Sequence, residues 1–198
     1  AEQLEDAVDE IKAAIAEEID VRVSMEVHWK FIRAIHRPSR PGRTVAARPV
    51  DYLILNYDTL IESALALQKL RYADGMNGGN SAWWDMSTFE AKVLSARVIK
   101  LHGSIDWTEM SGESLPRRID RNLRLPPGND QKVLIWPAST KYRETLRDPY
   151  AQLLSLARQA LHPPSGTQTV LTVCGYSFGD SHINIEIERA LRESGGKV

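Results

Sequence analysis

The chain is poor in the features that usually announce a function. It holds one cysteine, Cys174, which excludes an internal disulfide framework and a multi-cysteine metal centre. A reducing, cytoplasmic setting fits that usage. It has no charge excess either: 25 Lys and Arg face 26 Asp and Glu, for a formal net charge of −1. No global field therefore favours direct binding of nucleic acid or an anionic membrane. No apolar run approaches the length of a bilayer span, and the acidic start lacks the basic-then-apolar order of a secretion signal. A P-loop, a metal-ligand set, a Ser-His-Asp pattern and internal repeats are missing as well. What remains is 198 residues with 42% hydrophobic content, enough for one sizeable core. The first residue is Ala rather than Met, so the chain is expected to begin partway through a longer protein.

The stretch from Pro49 to Leu65 organises the rest. Tyr52 to Leu55 is a short apolar run of the kind that forms a buried parallel strand. Asn56-Tyr57-Asp58 interrupts it, and Thr59 stands three residues before Glu62 as a capping box, opening a helix whose apolar face is Leu60, Ile61, Ala64 and Leu65. The polar triplet thus falls where a strand ends and a helix starts, the place where ligands bind in open α/β sheets. Val98, Ile99 and Leu101 make a second strand that stops at His102-Gly103. Lys132 to Pro137 makes a third, and Thr169 to Cys174 a fourth that ends in Gly175-Tyr176-Ser177-Phe178-Gly179-Asp180.

Helices fill the intervals. Leu4, Val8, Ile11, Ile15 and Ile19 recur at spacings of three and four, and Val27, Phe31, Ile32 and Ile35 continue the pattern, with Trp29 expected in the core and His28 at the surface. Asp148-Pro149 opens a further helix with Asp148 as its cap, and Ile183 to Arg192 is expected to be helical from Asp180 or Ser181. Residues 1–48 are thus a helical segment leading into one core domain over 49–198. Strands alternating with helices predict an α/β, Rossmann-like, doubly wound and mainly parallel sheet with helices on both faces.

Between these elements, Arg37 to Arg43 and Arg48 form a Pro- and Gly-broken basic loop, more often solvated than functional. Gly75 to Asn80 is expected to be a flexible connection to Trp83-Trp84, which serve either as a flap over a ligand or as a buried anchor. Glu109 to Asp130 is a polar excursion from the core.

Singly, each polar cluster is a common turn or cap device. On one rim they assemble a carboxamide, a carboxylate, an imidazole and glycine-flanked amides, an inventory suited to the hydroxyls and phosphates of a nucleotide. An imidazole, with an ordinary pKa of about 6.5, serves as a base near neutral pH.

Leu55-Asn56-Tyr57-Asp58, Lys100-Leu101-His102-Gly103-Ser104 and Gly175-Tyr176-Ser177-Phe178-Gly179-Asp180, in that order, resemble the sirtuin superfamily. More narrowly, they resemble its bacterial branch found in anti-phage defence proteins. The likeness runs from about Pro49 to Leu191. It implies that Asn56 positions the nicotinamide ribose and a water, and that His102 is the essential histidine. Asp58 would lie near the nicotinamide amide, and Gly175 and Ser177 near the adenosine ribose and phosphate. Tyr57 and Gly103 would complete the NAD-contacting set. The implied reaction is cleavage of the nicotinamide–ribose bond of NAD, with a homo-oligomer and an ATPase or nuclease partner as expected company.

Two departures qualify the resemblance. The family's Gly-Ala-Gly phosphate loop does not occur before Asn56, so a strand carrying it is expected upstream of this chain. The four-cysteine zinc module of deacylating members is also absent, and its interval holds an Arg-rich stretch instead. No zinc is therefore expected, and a deacylase is disfavoured against an NAD hydrolase or a non-catalytic module that binds NAD or ADP-ribose.

Overall fold

The structure is a computed structural model that describes residues 2–37, 48–119, 131–135, 148–162 and 169–193. Helices α1 (Glu2–Ile19) and α2 (Glu26–Ile35) precede strand β1 (Val50–Ile54), helix α3 (Leu60–Leu67) and strand β2 (Tyr72–Ala73). Strands β3 (Met76–Gly78), β4 (Ala82–Trp84), β5 (Ala96–Lys100), β6 (Gly103–Met110), β7 (Arg117–Arg118) and β8 (Gln131–Ile135) follow. A short 3-10 helix (Met86–Glu90) lies between β4 and β5, and helices α4 (Tyr150–Leu161) and α5 (Ser181–Glu193) complete the described elements. No helix among the described residues is long and apolar enough to cross a membrane.

The α/β architecture is present, in two sheets. β1, β5 and β2 form a parallel sheet in the order β1-β5-β2, with Tyr52 beside Val98 and Ile54 beside Lys100. Side chains alternate across a strand, and β5 shows the consequence. Ala96 and Val98 pack with α2 and α3 through Ile32, Ala64 and Leu65. Ile99 packs on the other side with Leu153, Leu156 and Ala157 of α4 and Ile183 of α5. Helices thus cover both faces of this sheet, as a parallel sheet requires.

The second sheet is antiparallel, in the order β3-β4-β7-β6-β8. The predicted third strand lies here rather than beside β1, because Gly103, with φ of +91°, turns the chain straight from β5 into β6 and β8 pairs with that return. The stretch expected to be a flexible connection after Gly75 forms the β3–β4 hairpin, and the polar excursion contributes the end of β6 and all of β7. Trp83-Trp84 divides between its two readings: Trp84 is a buried anchor, edge-on to Trp107 and donating from Nε1 to Gln152 at 2.8 Å, while Trp83 is exposed. Alternation along β4 separates the neighbours.

Several local expectations fail. Residues 169–174 form no strand and make no backbone ladder among the described residues. Thr59 makes no side-chain cap, and Asp58 Oδ1 accepts the Leu60 amide instead (3.1 Å). Asp148 does not cap α4, whose N-terminal position is Pro149. Trp29 is at the surface, with the Arg33 guanidinium 5.1 Å above its ring. In α1 the inward stripe runs through Lys12 and Ala16 and leaves Val8 and Ile11 exposed. Arg40, Arg43, Arg121, Arg124 and Pro137 lie outside the described residues.

Candidate functional site

β1 and β5 run parallel, so their carboxyl ends reach the same rim. Beyond Ile54 the chain turns through Asn56-Tyr57-Asp58 into α3, and beyond Lys100 it turns through His102-Gly103 into β6. Backbone and side-chain donors of the second turn hold the carbonyls of the first. Leu101 N–H donates to the Ile54 carbonyl (2.9 Å) and Ile105 N–H to that of Tyr57 (3.0 Å). Lys100 Nζ donates to the carbonyls of Tyr57 (3.1 Å) and Asp58. His102 Nδ1 lies 3.2 Å from the Leu55 carbonyl. A carbonyl only accepts, so in that bond Nδ1 carries the proton and the neutral ring keeps its lone pair on Nε2.

Burial sorts these groups. Lys100, His102 and Ser104 are enclosed, whereas Asn56 is exposed at the tip of the turn with Tyr57 and Asp58 half-buried beside it. Beneath them Lys100 Nζ stands 3.3 Å from Glu62 Oε1 of α3. Burial pushes the Glu62 carboxyl up to about 7, with the Lys100 charge pulling the other way. Ser104 Oγ donates to Asp106, whose other oxygen accepts from Arg118 Nε at 2.6 Å, and Arg118 reaches on to Asp74 at 2.5 Å. The rim is therefore underpinned by two ionic clusters, one on each side of the β5–β6 turn.

The third predicted cluster arrives from the α5 side. The His102 and His182 rings are 5.6 Å apart. Burial, then the negative charge of Asp180, raises the Tyr57 hydroxyl above its ordinary pKa. The loop from Gly175 to Asp180 is tied to α5: the Tyr176 hydroxyl donates to Asn184 Oδ1 (2.8 Å), and Asn184 Nδ2 donates to the Phe178 carbonyl (2.7 Å). Gly175 and Ser177 themselves are exposed. The three motifs therefore meet through His102, Tyr57, Asp180 and His182, while Gly175 and Ser177 mark the open edge.

Four residues of this neighbourhood carry no site role in the sequence motifs: His182, which no motif includes, Glu62, which the spacing makes a capping-box member, and Lys100 and Ser104, which only flank His102-Gly103. One signal was available: a lysine inside the apolar run Val98-Ile99-Lys100-Leu101 demands a buried partner. A groove of about 560 Å³ lined by Leu70, Arg71, Tyr72, Lys92, Val93 and Leu94 lies by the amino ends of β2 and β5, and none of the predicted site residues lines it. Among the described residues no group of three or more His, Cys, Asp and Glu could hold a metal ion.

Residues 52–198 match the family model of the SIR2-like domain. The match spans all three motifs and most of the chain. No curated protein matches the sequence.

Proposed function

Because the chain belongs to the SIR2-like domain family, whose chemistry uses NAD, we propose that it is an NAD glycohydrolase releasing nicotinamide and ADP-ribose. The observation that carries this reading is the tie between His102 Nδ1 and the Leu55 carbonyl. It joins the imidazole to the turn bearing Asn56 and leaves Nε2 as the basic nitrogen. In the proposed reaction the bond between ribose C1′ and the nicotinamide nitrogen breaks, and its electron pair leaves with neutral nicotinamide. Water adds to C1′ and loses a proton to a base. Asn56 is assigned to holding the ribose and that water, and His102 to accepting the proton from water or a ribose hydroxyl. Precise placement and charge stabilisation supply most of such a rate, so no covalent nucleophile is needed.

Asp58 keeps its assigned place by the nicotinamide amide with one carboxylate oxygen already committed to the Leu60 amide. Tyr57, Gly103, Gly175 and Ser177 are assigned to contacts with the rest of NAD. The donor set suits ribose hydroxyls, and the sequence carries no Gly-Ala-Gly loop for the pyrophosphate. A deacylase would need a peptide cleft built around a four-cysteine module, and the chain has one cysteine. The biological setting we infer is cytoplasmic anti-phage defence, with an ATPase or nuclease partner. A homo-oligomer is supported by the exposed Val8 and Ile11 on α1, and a monomeric mass by light scattering at micromolar concentration would remove it.

The test is nicotinamide release from NAD by the full-length protein, alone and with its neighbouring gene product. Release should vanish in Asn56→Ala and in His102→Ala, with folding verified. Release that persists in both variants would overturn the site. Binding of NAD without release under either condition would favour a sensor or scaffold module.

A further inference from the structure

An ammonium group inside a strand that is covered on both faces is expensive unless every proton finds an acceptor. Lys100 occupies such a position. Its side chain is 1% exposed, and alternation places it on the α3 face together with Ala96 and Val98. Its three protons have three acceptors: the Tyr57 carbonyl at 3.1 Å, the Asp58 carbonyl, and Glu62 Oε1 at 3.3 Å. Two of the three belong to the main chain of the turn that carries Asn56. The Tyr57 carbonyl also accepts from Ile105 N–H, and the carbonyl one residue before Asn56 lies against His102 Nδ1. The backbone of Asn56 is thus bracketed by pinned carbonyls on both sides, and its exposed carboxamide has only its own side-chain torsions to vary.

We propose that Lys100 is a positioning residue of the rim, fixing the turn that carries Asn56 against the turn that carries His102 by holding the Tyr57 and Asp58 carbonyls. The proposal deepens the NAD-cleaving assignment and rests on it for its kinetic consequence. Neutralising Glu62 does not account for the arrangement, because an apolar pair of the same volume would fill the space without charge and would leave the two carbonyls unheld.

Lys100→Met alone strands the Glu62 carboxylate, so the decisive variant is Lys100→Met combined with Glu62→Leu in the full-length protein. Val98→Ala, a truncation on the same face of the same strand, serves as a control for general loosening. In the double variant kcat for nicotinamide release should fall about thirtyfold or more, since a small misplacement near reacting atoms is costly. KM should move less than about threefold, because the hydrogen bonds removed run within the protein and none reaches substrate. Val98→Ala should keep its kcat even where its melting temperature falls as far. A double variant with kcat intact, or a control that loses as much, would overturn the role. Hydrogen exchange keeps the idea testable apart from NAD chemistry. The Ile105 amide, which donates to the Tyr57 carbonyl, and the Leu60 amide should exchange about tenfold faster or more in the double variant, while β5 amides stay protected. If the wild-type protein releases no nicotinamide, the NAD-cleaving assignment falls and these amides alone decide whether Lys100 holds the turn. Unchanged exchange would overturn it.

Discussion

The two walls of the candidate site are held in different ways. On the β1–β5 wall the carbonyls of Ile54, Leu55, Tyr57 and Asp58 are all engaged by residues 100 to 105, and Lys100, His102 and Ser104 are 1%, 3% and 0% exposed. On the other wall the approach to Gly175 makes no ladder among the described residues, with Val170 at 81% and Val173 at 44% exposure. That wall takes its order from α5, through Tyr176 and Asn184. Under the proposed reaction, Asn56 and His102 sit on the first wall, and the residues assigned to the distal part of NAD sit on the second. Substitutions should therefore cost much on the first wall and little on the second.

The largest effect is expected from Lys100→Met as a single change. Above about pH 7, where Glu62 ionises, it leaves the carboxylate without its counter-charge in a 6% exposed position, and removing one partner of a buried pair costs about 3–5 kcal/mol. For a chain of this size that lowers the melting temperature by at least about 6 °C. Calorimetry on Lys100→Met and on the double variant with Glu62→Leu should show most of the loss recovered in the latter. A single variant as stable as wild type would mean that this wall is wetter than it looks.

Next comes the pH response of the same pair. Glu62 has its folded pKa raised from 4.5 to about 7, so between those values the folded state binds the proton that the unfolded state releases. The stability this contributes is full below about pH 4.5 and is lost as the pH rises through 7. At about 1.4 kcal/mol per unit, the group alone takes away about 2 kcal/mol between pH 5.5 and 7. Glu62→Gln should abolish that decline in denaturant titrations run across this range. A variant that falls as steeply as wild type would place the titration elsewhere.

The contrast between the walls also explains what could be read without coordinates. β1 and β5 were legible because a strand buried on both faces is a near-continuous apolar run, as Tyr52 to Leu55 is and as Val98 to Leu101 is apart from Lys100. The meeting of the Asn56 and His102 clusters followed from two parallel strands sharing one rim, whereas the Gly175 cluster reaches it from the α5 side without the strand expected before it. Thr169 to Cys174 has an equally good strand composition, yet a strand exists only where a neighbour supplies the other half of the ladder, and among the described residues none does. Glu62 was illegible for a different reason. Its spacing from Thr59 satisfies a local rule, and the tertiary demand of Lys100 overrides it. Trp29 failed similarly, since helical periodicity names a stripe without saying whether anything will cover it.

On the open wall the costs should shrink. Gly175 has φ of +66°, and a Cβ there would meet nothing within 4 Å. Gly175→Ala should cost about 1 kcal/mol, all of it backbone strain and none of it clash. Chemical denaturation checks the magnitude, and a loss beyond about 2 kcal/mol would show the loop packed against something in solution.

The smallest effect is expected where the sequence is most apolar. Val170→Ser and Val173→Ser replace methyl groups that already face water, so each should change stability by less than about 0.5 kcal/mol. Val98→Ala, fully buried on β5, removes less hydrocarbon than both together yet should cost more than either, because its methyls leave a packed interior and a cavity behind. If Val170→Ser and Val173→Ser prove as costly as Val98→Ala, the exposed stretch is covered in solution, and the second wall is as built as the first.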